Sequence, residues 1–126
     1  MGKGHIVLAN DDEKIVRNLT EIFAMEDWKV HPARTSDEVI PKIEAFSPGL
    51  LILDAFIIPG GMGYVFERMT ERDYQLPVLI WSAFGDSQPV QDILRKGSYR
   101  GRIEVVPLRE DIESTLGRVR RLAGYH

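Results

Sequence analysis

The chain has 126 residues, no cysteine, a formal net charge of −3, 44% apolar residues and 28% charged ones. That length suits one domain with a real core, expected to span residues 1–126, and the composition excludes a disordered chain. Disulfides, thiolate chemistry and Cys-ligated metals are excluded, the mild negative charge gives no footing for nucleic-acid binding, and no apolar run nears the ~20 residues of a membrane span.

The N-terminal MGKGHIVLAN has too short an apolar run for a signal peptide, and Ile6 stands where a myristoylation signal needs Ser or Thr. A cytoplasmic protein with no membrane partner is expected. His5 to Ala9 reads as a first strand ending in the polar cluster Asn10-Asp11-Asp12-Glu13. Ile15, Val16, Leu19, Ile22 and Phe23 then recur at helical spacing, with acidic residues in the first turn where the helix dipole favours them. Trp28 to Ala33 is a second strand, and Pro32 assigns it to a sheet edge. Thr35 and Glu38 have capping-box spacing for a second helix through about Phe46, in which Pro41 is expected to cause a kink.

Eight of the nine residues from Leu50 to Ile58 are apolar, and the exception is Asp54. The run reads as a buried central strand leading into the turn Pro59-Gly60-Gly61, with Asp54 at its solvent end. A carboxylate there is either a turn cap or a functional group at a strand's C-terminal edge. A short helix from Tyr64 to about Arg72, the buried strand Val78 to Trp81, and a weaker helix through Lys96 follow. Ile103 to Val106 is the fifth strand, and Arg109 to about Ala123 is the last helix, acidic at its start and basic at its end.

Strands alternating with helices give an α/β fold, with a flavodoxin-like five-stranded parallel sheet covered by helices on both faces. Functional residues in such sheets lie outside the C-terminal strand ends. Those ends hold Asp11, Asp12, Asp54, Ser82 and Val106-Pro107, so three carboxylates and a hydroxyl are expected to converge. Taken singly, Asp11-Asp12 also reads as a helix cap and Ser82 as a turn residue. His5, His31 and His126 are dispersed, with no metal-ligand spacing.

The acidic pair in IVLANDDE, the aspartate ending PGLLILD, the loop PGGMG and the Ser-Ala of LPVLIWSA stand in the order found in receiver domains of two-component response regulators. The chain resembles that family from about His5 to Ala123. The resemblance implies that Asp54 accepts a phosphoryl group from a sensor histidine kinase or phosphotransfer protein. It implies Mg²⁺ or Mn²⁺ held by Asp12 and Asp54, with Asp11 nearby and the backbone carbonyl of Phe56. It also implies phosphoryl binding by Ser82 and Ala83, and output to a protein partner, or a homodimer, through the fourth helix, fifth strand and fifth helix.

The chain departs from the family at two positions. Val106 occupies the place of the usual lysine, and Ile103 that of the usual aromatic switch. Arg102 and Arg109 are the cations near enough in sequence to substitute, with a different geometry. The loop after Asp54 is also about one residue longer than usual. These differences imply weakened or altered switching, or an interaction module independent of phosphorylation. A phosphatase on this fold would need a second acid two residues after Asp54, where Phe56 stands. No enzyme is expected.

Overall fold

The computed structural model describes residues 4–82, 88–97, 99–107 and 110–124. In chain order the elements are β1 (Gly4–Ala9), α1 (Glu13–Met25), β2 (Trp28–Ala33), a 3₁₀ turn (Ser36–Glu38), α2 (Val39–Phe46) and β3 (Leu50–Leu53). They continue with α3 (Gly61–Glu71), β4 (Val78–Ser82), α4 (Gln88–Lys96), β5 (Ile103–Pro107) and α5 (Ile112–Leu122). All strand pairs are parallel, in the order β2-β1-β3-β4-β5. β2 is therefore an edge strand, where Pro32 is tolerated because one side of its backbone has no partner.

The uninterrupted apolar runs of β3 and β4 follow from burial on both faces. Val7, Ala9, Leu51, Leu53, Val78 and Ile80 point to one side, where they meet Val39 and Ile43 of α2 and Met62, Val65 and Met69 of α3. Ile6, Leu8, Leu50, Ile52, Leu79, Trp81 and Val106 point to the other, against Leu19 and Phe23 of α1 and Leu116 and Val119 of α5. Strand periodicity of two thus divides one sheet between two cores. No helix among the described residues is long and apolar enough to cross a membrane.

Pro41 does not kink a helix as expected. The segment after Thr35 first makes a 3₁₀ turn, so Pro41 falls at the third residue of α2. Its missing N–H belongs to the first turn, where no intrahelical acceptor exists. The Thr35–Glu38 pair is likewise no capping box: Thr35 Oγ1 donates to Glu38 Oε2 at 3.1 Å, and neither side chain caps a backbone N–H.

Candidate functional site

Asp54 follows the last residue of β3, and its backbone N–H donates to the Ala9 carbonyl at the end of β1 at 2.9 Å. Its carboxylate is half-buried and accepts the N–H groups of Phe56 and Ala55. Burial raises its pKa above the ordinary carboxylate value, and the negative charge of Asp11 raises it further, while the two N–H donors oppose both effects.

Asp12 has a different task. It is the N-cap of α1, with Oδ1 accepting from Lys14 N at 2.9 Å and Ile15 N at 3.2 Å. Asn10, buried at 6% exposure, holds this turn: its Oδ1 accepts the Asp12 N–H at 2.9 Å, and its own N–H donates to Ala33 O at 3.0 Å. Among the described residues no group of three or more His, Asp or Glu is gathered to hold a metal. The acids that share a field are Asp11 and Asp54, because the helix start draws Asp12 to its free N–H groups.

The loop after Asp54 is held from below by a residue the sequence reading passed over. Ser36, buried in the 3₁₀ turn, donates its N–H to Ile58 O at 2.9 Å and its hydroxyl to Pro59 O. Tyr64 of α3 donates to Asp37 Oδ1 at 2.8 Å, joining the same turn to the far side of the loop. Gly60 is required at the crest: its φ is +83°, and a Cβ there would lie 2.7 Å from Tyr64 Cβ. Phe56 and Ile58 are left 47% and 60% exposed beside Asp54, an apolar rim around a charged centre.

At the lysine position, Val106 is fully buried in the α1–α5 core, opposite Trp81 in the β4–β5 register. Ile103 is partly buried against the other core. Ser82 ends β4, but its side chain lies outside the described set, as do Ala83 and Arg109. Arg102 pairs with Glu104 at 3.8 Å. Arg118 joins that carboxylate at 3.1 Å and Glu110 at 3.0 Å, linking β5 to α5. Arg120 makes two 2.8 Å hydrogen bonds to Glu26 at the end of α1. These partners account for the basic end of α5 more fully than the helix dipole does.

A hard divalent cation fits the donor set at Asp54. Among the described residues neither Asp11 nor Asp54 has an ion-pair partner, and ionisation of Asp54 is disfavoured partly by Asp11 itself. Two carboxylates, with water and phosphate in the other positions, are what Mg²⁺ accepts.

A family model described as response regulator receiver domain matches residues 6–100. The chain belongs to that family. Curated relatives are response regulator RR06 of Streptococcus pneumoniae, 27% identical over 65% of this chain and 37% of its own length, and the uncharacterized transcriptional regulatory protein YkoG of Bacillus subtilis, 31% identical over 95% and 51%. The receiver thus spans about half or less of the relatives it matches. Among solved structures, the signal receiver domain of a putative LuxO repressor from Vibrio parahaemolyticus aligns with a TM-score of 0.81 at 18% identity, covering 96% of this chain and 90% of that one. The BeF3-activated N-terminal receiver domain of Klebsiella pneumoniae RstA aligns with a TM-score of 0.81 at 17% identity, covering 94% and 97%. At these identities the structures establish the flavodoxin-like fold alone, and the family match makes the chain a response regulator receiver domain. Receivers in general are non-enzymatic signalling modules that interact with histidine kinases or phosphotransfer proteins and bind Mg²⁺ at the phosphorylation site.

Proposed function

We propose that Asp54 is the phosphoacceptor of this receiver. A carboxylate oxygen of Asp54 bonds to the phosphorus of a phosphohistidine on a sensor kinase or phosphotransfer protein as the P–N bond breaks, and the electron pair leaves with the imidazole. Asp11, Asp54 and the Phe56 carbonyl are the protein's share of a Mg²⁺ or Mn²⁺ site. The ion supplies neutralisation of the carboxylates and phosphoryl oxygens. Asp12 supports the site at one remove by capping α1. Ser82, the last residue of β4, and Ala83, next in sequence, are the residues proposed to meet the phosphoryl oxygens.

The observation that carries this reading is a half-buried carboxylate at a central strand end, facing a second acid and paired with no base among the described residues. Such a group is costly as a structural element. Val106, apolar and buried, leaves the phosphoryl group without the usual ammonium, so phosphorylation is shorter-lived and switching through the α4–β5–α5 face to a partner or second copy is weakened. The same two residues, Val106 and Ile103, favour a second reading, an interaction module that works unphosphorylated.

Incubation with Mg²⁺ and acetyl phosphate, read by intact mass, tests the proposal. One phosphoryl adduct on the wild type and none on Asp54→Asn is expected. Absence of any adduct at saturating Mg²⁺ transfers the assignment to the second reading.

A further inference from the structure

Away from Asp54, helices α3 and α4 part to leave a groove of about 500 Å³. Its floor is apolar: Phe66 and Tyr99, with ring centroids 5.3 Å apart, together with Ile93 and Ile103. Tyr99 is fixed there by its hydroxyl, which donates to Leu76 O at 2.5 Å, so the floor is preformed.

The walls are charged with opposite sign. Glu67 and Glu71 stand one turn apart on α3, and Lys96 stands on α4. Arg95 beside Lys96 is tied to Asp92 at 3.6 Å, but among the described residues Glu67, Glu71 and Lys96 have no ion-pair partner. Two like charges at i and i+4 disfavour their own helix slightly, so a cationic neighbour would relieve them.

We propose that this groove docks an amphipathic helix of a partner protein, with apolar anchors on one face and basic residues along one flank. Both walls are helices, and a guest helix can lay its side-chain ridge between them. Apolar side chains at i, i+3 or i+4, and i+7 reach the floor of Phe66, Ile93, Tyr99 and Ile103. Cations one helical turn apart on the guest match the spacing of Glu67 and Glu71, while Lys96 selects an acid on the opposite flank. None of the residues proposed for phosphoryl transfer lines the groove.

The test uses a short synthetic amphipathic peptide with leucine anchors, lysines on one flank and a glutamate on the other, and a control in which those charges are exchanged. Binding is followed by fluorescence anisotropy and by amide shift mapping on the whole chain. The lysine-flanked peptide is expected to bind saturably, to shift Gly63, Thr70, Ile93 and Gly97, and to bind roughly tenfold more tightly than the control. The double variant Glu67→Lys, Glu71→Lys, altered only at exposed positions, should reverse that preference, and Ile103→Phe should weaken both peptides by filling the floor. Equal affinity for the two peptides, shifts elsewhere, or no binding overturns the proposal. So does occupation of the groove by a small organic cation such as benzylamine while the peptides stay free.

Discussion

Asp11 and Asp12 carry the same side chain on adjacent residues, and the backbone gives them opposite partners. Asp12 satisfies two orphan N–H groups of α1, so Asp12→Ala should cost about 1 kcal/mol in thermal or urea unfolding. Asp11 contributes repulsion to Asp54, so Asp11→Asn should leave stability level or slightly raised. Asp54 itself is a destabilising residue when ionised. Its pKa is higher folded than unfolded, so the folded chain binds the proton more tightly, and stability falls as pH rises from the ordinary value near 3.8 through the folded pKa. Asp54→Asn should therefore raise the unfolding free energy at neutral pH by on the order of 1 kcal/mol or less given the carboxylate's partial exposure, seen as a higher melting temperature. The gain should vanish below the ordinary carboxylate value. Sequence alone points to both Asp11 and Asp12 because it records proximity to a strand end, whereas which of the two the helix cap claims depends on where the helix N-terminus falls, a matter of one residue.

Among the elements, the parallel register of β1 and β2 produces a contact that spacing could not reveal. His5 stands opposite Lys29, and His31 opposite Val7. The two rings meet with Nδ1 of His5 2.7 Å from Nε2 of His31, and Phe46 of α2 stacks 3.6 Å from His31. One proton can be shared across that contact, but two cannot be accommodated. Burial lowers the pKa of His31, and the charges of His5, Lys42 and Lys29 lower it further. The unfolded chain therefore takes up the proton first, and stability is lost as pH falls through 6.5. A melting series from about pH 7.5 to about pH 5 should show this loss in the wild type and a flatter slope in His31→Gln, which can still hydrogen-bond but does not titrate. The α2 region departs from its sequence pattern for a related reason: the capping-box spacing at Thr35–Glu38 suggests a helix start, but the 3₁₀ turn there reaches the loop beyond Asp54 through Ser36. That demand is tertiary and leaves no local signal.

For the molecule as a whole, strand order, the edge position of β2 and the two-sided cores were legible because alternating elements and doubly buried apolar runs permit few arrangements. Less legible was how buried the departing positions are. Restoring lysine at Val106 looks like a gain of function from sequence, yet Val106 has no exposed surface and lies among Trp81, Leu116 and Val119. Val106→Lys should destabilise the fold by about 2–4 kcal/mol in chemical unfolding, since an ammonium must be buried or forced out at the strand end. Any improvement in phosphoryl retention must be read against that loss. In the proposed function Asp54 and Asp11 act together while Asp12 serves the helix. The most direct measurement is the Mg²⁺ dependence of the initial rate of acetyl-phosphate labelling in wild type, Asp11→Asn and Asp12→Asn. Asp11→Asn is expected to lose most of the Mg²⁺-dependent rate, while Asp12→Asn keeps it at a lower melting temperature. Loss of the Mg²⁺ dependence in Asp12→Asn, with Asp11→Asn unaffected, would contradict the proposal.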